Sequence, residues 1–165
     1  RIVIHKTTHF TKEEMEGITK GLAGVDNIEL LQIQEFSAWR AIRFQNDTAT
    51  PFPIQRGTVI PLDKDTFLIW THGSVQHDEL AGKKLNYYKN GRGIPAPLLV
   101  KRFMGKSSAL ELVNEILMLT KMNWNSGDGL YKILPVTLDF AKALSRVAKQ
   151  DLVIYDRPYD FRYFM

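Results

Sequence analysis

Apolar residues recur at helical spacing through residues 110–122, where Leu112, Val113, Ile116, Leu117 and Leu119 alternate with polar positions and no Pro or Gly intervenes. A polar stretch follows, with Asn123, Asn125, Ser126, Gly127, Asp128 and Gly129, and it reads as a loop. The helical period resumes after Pro135, a residue tolerated in the first turn of a helix, and continues with Leu138, Phe140, Ala141, Leu144, Val147 and Ala148. Residues 110–149 therefore predict a helix–loop–helix whose loop carries Trp124 and is flanked by Lys121 and Lys132.

Upstream the period changes. Residues 2–4 (IVI) form a short β-rich run that suits a buried strand. Thr11 followed by Glu14 is a capping-box pattern, so a helix is expected from Lys12, with Met15, Ile18, Thr19 and Leu22 on its apolar face and Gly24 ending it. Residues 28–34 (IELLQIQ) read as the next strand, and strand–helix–strand order implies a parallel pair. A strand is expected over 39–44, then a Pro- and Thr-rich loop over 46–55. Residues 57–62 and 66–71 predict a hairpin turning at 63–65. Residues 75–93 are polar, glycine-containing and without period, which predicts an exposed, mobile loop. Residues 96–103 read as a strand, with Ser107 and Ser108 as cap candidates for the helix that follows. The aromatic tail after Lys149, ending Tyr163-Phe164-Met165, is apolar enough to be expected inside the domain. Strands and helices alternate, then hairpins, then two helices: a mixed-sheet α/β architecture.

Composition adds limits. At 165 residues, 44% of them hydrophobic, the chain suits one domain with a sizeable core. No apolar run approaches the ~20 residues of a membrane-spanning helix, so no membrane role is expected. Without cysteine there is no disulfide and no thiolate metal site, which fits a cytoplasmic protein. The chain starts with Arg1 and runs directly into a strand, so it is expected to be part of a longer protein, starting mid-fold. Between Arg92 and Lys149 there are nine basic residues against four acidic ones, an excess larger than the +4 of the whole chain. That imbalance suits either a polyanion-binding surface or a solvated mixed surface.

Hydrolytic motifs are scarce. Neither GxxxxGK[ST] nor GxGxxG occurs, and there is no GxSxG elbow. His5 and His9 straddle a strand end and make a poor metal clamp. Asp63 and Asp65 read as a hairpin turn before they read as a chelating pair. What remains is backbone recognition: Asn123, Asn125 and the loop amides as donors to phosphate, a helix start near Pro135, and Lys121 and Lys132 as flanking cations. Trp124 suits a stacking platform or a core position.

The stretches RIVIHKTTHFTKEE, QRGTVIPLDKDTFLIWTHG, GIPAPLLVKRFMG, EILMLTKMNWNS and LPVTLDFAKALSRVAK, in that order and with an aromatic end, resemble the C-terminal part of the PIWI domain of prokaryotic Argonaute proteins. The resemblance covers most of the chain. It implies an RNase H-like mixed sheet with flanking helices, and residues 1–165 as the C-terminal portion of a PIWI domain whose MID domain and first strands lie upstream. Cutting PIWI domains hold two divalent metals with clustered carboxylates, which clamp the attacking and leaving oxygens. Where the family's strand is followed by Arg-Asp-Gly, this chain has Lys6-Thr7-Thr8, so Thr7 stands in place of a catalytic Asp. The last ligand position matches Lys142, with Asp139 nearby; a lysine repels a metal and favours a phosphate.

The resemblance therefore implies a catalytically inert, short or long-B type module, not an enzyme. It would bind guide RNA or DNA and the complementary target strand, in prokaryotic defence beside a separate effector protein. The implied nucleic-acid contacts are Lys101, Arg102, Lys121, Asn123, Trp124, Asn125, Lys132, Thr137, Lys142 and Arg146. Mg²⁺ is implied only at the guide 5′-phosphate, with the terminal carboxylate of Met165 as a ligand, and no catalytic cofactor. The alternatives are an active metal-dependent endonuclease using Asp139 or the Asp63–Asp65 pair, and an α/β domain that binds a protein partner.

Overall fold

A computed structural model describes residues 1–36, 38–74, 94–122 and 132–150. The central strand is β2 (Ile28–Glu35), in which Glu29, Leu30, Leu31 and Ile33 are buried. It pairs in parallel with β1 (Ile2–Lys6) and antiparallel with a strand far along the chain (Leu98–Met104). Between β1 and β2 runs α1 (Lys12–Gly21), begun by the Thr11–Glu14 capping box. The parallel pair and its connecting helix are thus as the sequence predicts.

The segment after β2 departs from expectation. Residues 46–55 do not form a loop: β3 (Ile42–Gln45) and β4 (Thr48–Pro53) make a separate two-stranded ribbon. Asn46 and Asp47 turn it with φ of 50° and 59°, the left-handed pair that a tight hairpin requires and that Asn and Asp tolerate. Its prolines mislead because Pro is excluded from central strands, not from a ribbon laddered on one side.

Next come β5 (Val59–Pro61) and β6 (Thr66–Ile69), shorter than the predicted hairpin arms but in the same places. The strand Leu98–Met104 is β7, and the five-stranded order is β1-β2-β7-β6-β5. Then α2 (Ala109–Leu119) starts at Ser108, which forms a capping box with Glu111. The last described element is α3 (Val136–Gln150).

Side chains alternate across a strand, which sorts the sheet into two faces. One face gives Leu31, Ile33, Phe67, Ile69, Leu98 and Val100 to a core completed by Leu112, Val113 and Ile116 of α2, and by Leu134 and Leu138. On the other, Leu30 and Leu68 are buried, and Phe10 packs on Phe103 with ring centroids 5.5 Å apart. Leu110, within the predicted apolar stretch, is exposed instead.

Two polar contacts fix α2. At its end, Arg56 Nη2 donates to Leu117 O and to Thr120 Oγ1, both at 2.8 Å, placing a cation where the helix carbonyls lack partners. At its start, buried Glu29 accepts from Lys106 N–H at 2.8 Å and Ser107 N–H at 2.7 Å. Burial pushes this carboxyl up, but hydrogen bonds from Ser107 and Lys106 and the charge of Arg1 outweigh it and hold it below the usual range. Gly105 carries the turn with φ 131°, and any Cβ there would overlap the Glu29 carboxylate.

Candidate nucleic-acid interface

In α/β sheets, ligands bind outside the carboxyl ends of strands. Here that region is the end of β1 and β2, crossed by the first turns of α3. His5 Nδ1 shares a hydrogen bond of 2.8 Å with Thr137 Oγ1, tying the strand to the helix. Burial pushes the His5 imidazole down to about 4, against an opposing pull from Glu115, so the ring is neutral at pH 7. Thr7 follows β1 directly, and its carbonyl accepts from Gln32 Nε2 at 3.5 Å, the long limit of a hydrogen bond. At the end of β2, Glu35 meets Lys142 Nζ at 3.6 Å. Both partners are about half exposed, at 56% and 48%, so the pair stabilises by at most ~1 kcal/mol and yields readily to a phosphate.

Among the described residues there is no group of three or more His, Asp or Glu side chains placed to hold a metal. The carboxylates proposed for the alternative nuclease are engaged. Asp63 accepts from Asp65 N–H at 2.8 Å within the hairpin turn, as its sequence predicts. Asp65 Oδ1 in turn receives Arg102 Nη2 at 3.0 Å and Nε at 3.2 Å.

This last contact reassigns Arg102. Its Nη1 also donates to Ser107 O at 2.6 Å, so the guanidinium clamps the β5–β6 turn to the start of α2 and is not an open phosphate contact. Neighbouring Lys101 is exposed and lies over the Phe103 ring at 5.4 Å, on the sheet face opposite the core. The expected set is therefore not one surface. Thr137 and Lys142 join at the strand ends, whereas Lys101 lies across the sheet from them.

Lys121 and Lys132 are brought together. Lys132 N–H donates to Thr120 O at 3.3 Å, closing the ends of the intervening segment at the carboxyl terminus of α2. Asn123, Trp124 and Asn125 lie outside the described residues, as do the 75–93 loop, the aromatic tail and Met165. The start of α3 offers fewer donors than its sequence suggests. Leu138 N–H and Asp139 N–H already bond to Pro135 O, and Leu134, Pro135 and Val136 are buried. Arg146 is exposed on α3. Sequence reasoning passed over Gln32 and Glu35 entirely and considered His5 only as a metal ligand.

No family profile and no curated protein matches the sequence. The fold does have solved counterparts. Aa-Ago, solved with externally bound siRNA, matches with a TM-score of 0.65 and 20% identity over 99% of this chain and 20% of that one. Clostridium butyricum Argonaute, bound to a guide DNA and a 19-mer target DNA, matches with a TM-score of 0.64 and 15% identity over 89% of this chain and 17% of that one. Marinitoga piezophila Argonaute, in complex with 5′ OH guide RNA and target DNA, gives a TM-score of 0.56 and 16% identity over 95% and 20%. The fold is Argonaute-like, an RNase H-like mixed α/β sheet with flanking helices. The chain spans about a fifth of the length of these proteins.

Proposed function

We propose that this chain is part of an Argonaute PIWI domain of the inactive short or long-B type, which holds a guide strand and its complementary target without cutting them. The observation that carries the reading is the pair at the strand ends. Lys142 and Glu35 set an ammonium against a carboxylate there, and Thr7 adds a neutral hydroxyl, whereas a two-metal nuclease needs clustered carboxylates; this supports the inert reading. The likeness to Argonautes solved with guide and target strands supports the ligand class.

In this reading Lys121, Lys132, Lys142 and Arg146 meet backbone phosphates, and base pairing supplies sequence selection. Thr137 positions α3 against His5. Mg²⁺ sits only at the guide 5′-phosphate, and cleavage or signalling falls to an effector protein in a cytoplasmic defence system.

The test is a guide-loaded cleavage assay of the full-length protein with Mg²⁺ or Mn²⁺, beside equilibrium binding over a salt series. Binding without product is expected, and neutralising Lys121 and Lys132 should flatten the salt slope by roughly 0.7–0.9 for each phosphate no longer neutralised. Any guide-directed product would contradict the inert reading. An unchanged slope would remove these lysines from the site.

A further inference from the structure

Glu35 stands at the strand-end interface as an acid among cations. Its backbone is fixed: Glu35 pairs with Leu98 across β2 and β7, and the next residue, Phe36, donates its N–H to Pro97 O at 3.0 Å. The carboxylate therefore leaves a rigid sheet end toward α3, where it meets Lys142 Nζ at 3.6 Å. From Phe140 to Gln150 the helix itself carries no Asp or Glu. The flank around Lys142 is open, with Ala141, Ser145 and Arg146 all exposed beside it. Glu35 thus brings a negative charge from another element to a flank that is otherwise neutral or basic.

The pair does little to hold α3 in place. Its separation exceeds that of a hydrogen bond, and both side chains are about half exposed. The helix is docked by other means: Val136 and Leu138 are buried, and Thr137 bonds to His5. What the carboxylate changes is the availability of the ammonium. A phosphate that takes Lys142 must displace Glu35 or sit beside it, one anion against another. A loose, exposed pair permits that exchange but lowers the affinity gained from it.

We propose that Glu35 is a displaceable counter-charge, which occupies Lys142 in the free protein and weakens the hold of that lysine on a nucleic-acid backbone. The inference rests on the guide-binding reading and deepens it. With Lys142 restrained, one ammonium gives little grip on its own, and retention of a strand depends on several phosphates being met at once.

The test is equilibrium binding of a fluorescent guide–target duplex to the full-length protein over a salt series. The proteins are wild type, Glu35→Gln, Lys142→Gln and the double variant. Glu35→Gln should tighten binding about two- to fivefold at low salt, the fold-change that matches loss of an exposed competing pair. The gain should largely disappear in the Lys142→Gln background, since the competition is for that ammonium. Melting temperatures should stay nearly equal. Weaker binding by Glu35→Gln with a lowered melting temperature makes the pair a structural tie and overturns the inference. An equal gain in both backgrounds also overturns it, because Glu35 then acts on the ligand without Lys142. Wild-type binding that Glu35→Gln leaves unchanged removes the inference and leaves the guide-binding reading standing. No binding by wild type or by Glu35→Gln sinks both.

Discussion

The burial of His5, beside its contact with Thr137, makes the domain sensitive to mild acid. Burial holds the imidazole at about 4 in the folded chain, against 6.5 when solvated. The folded value is the lower one, so between these limits the unfolded chain binds the extra proton and stability falls as pH falls. From pH 7 to pH 5 the ceiling on this loss is about 2 kcal/mol, at ~1.4 kcal/mol per pH unit below the unfolded value. The ring remains partly accessible to water, so about 1 kcal/mol is the working expectation. Carboxyls held low, such as Glu14, Glu29 and Asp63, lose their stabilisation in the same direction, but only below their ordinary values of 4.5 and 3.8. A window ending at pH 5 therefore isolates the histidine. The assay is urea unfolding at pH 7, 6 and 5 for wild type and His5→Gln, which keeps a polar partner for Thr137 but does not titrate. Wild type should lose about 1 kcal/mol more than the variant across the window. Parallel losses in the two proteins, or a His5 midpoint near 6.5 by NMR, would refute the reasoning.

Two further substitutions separate structure from binding. Gly105→Ala places a Cβ at φ 131° against the buried Glu29 carboxylate, so it should cost more than the ~1–3 kcal/mol of backbone strain alone, read as a lower midpoint in thermal or denaturant unfolding. A near-neutral result would mean that the Glu29 anchor is not rigid. Arg102→Leu and Lys142→Ala should behave oppositely. The first strands Asp65 and lowers stability by about 1–3 kcal/mol without changing the salt slope of oligonucleotide binding, whereas the second leaves stability nearly unchanged and flattens that slope. Equal effects on both readouts would return Arg102 to the interface.

Features written into neighbouring residues were legible in the sequence. The Thr11–Glu14 capping box closes within one helical turn, so pattern alone locates it, whereas the pattern leaves Ser107 and Ser108 open and the structure selects Ser108, boxed with Glu111. The Asp63–Asp65 turn is local in the same way. The β3–β4 ribbon was hidden because Pro and Thr outweighed the Asn46-Asp47 signal, although that pair adopts the left-handed geometry of a tight turn. Contacts that depend on the fold were not legible. His5 with Thr137, Glu35 with Lys142 and Arg56 with the end of α2 each join distant parts of the chain, and nothing in the local pattern of these residues selects one distant partner over another.

Some of the division within the candidate interface was nonetheless available from periodicity. In a strand, neighbours point to opposite faces, so reading residues 96–103 as a strand already forbids Lys101 and Arg102 from serving one surface. The structure fits this, with Arg102 turned to the start of α2 and Lys101 to the other side. On a helix of 3.6 residues per turn, Lys142 and Arg146 lie within about 40° of each other, whereas Thr137 is turned roughly 140° from Lys142. Thr137 duly faces β1 and hydrogen-bonds His5, while Lys142 reaches the exposed end of β2. A phosphate backbone following α3 would run along the Lys142–Arg146 stripe and not past Thr137. Charge substitutions on that stripe should then act on binding, and substitutions at Thr137 on the docking of the helix.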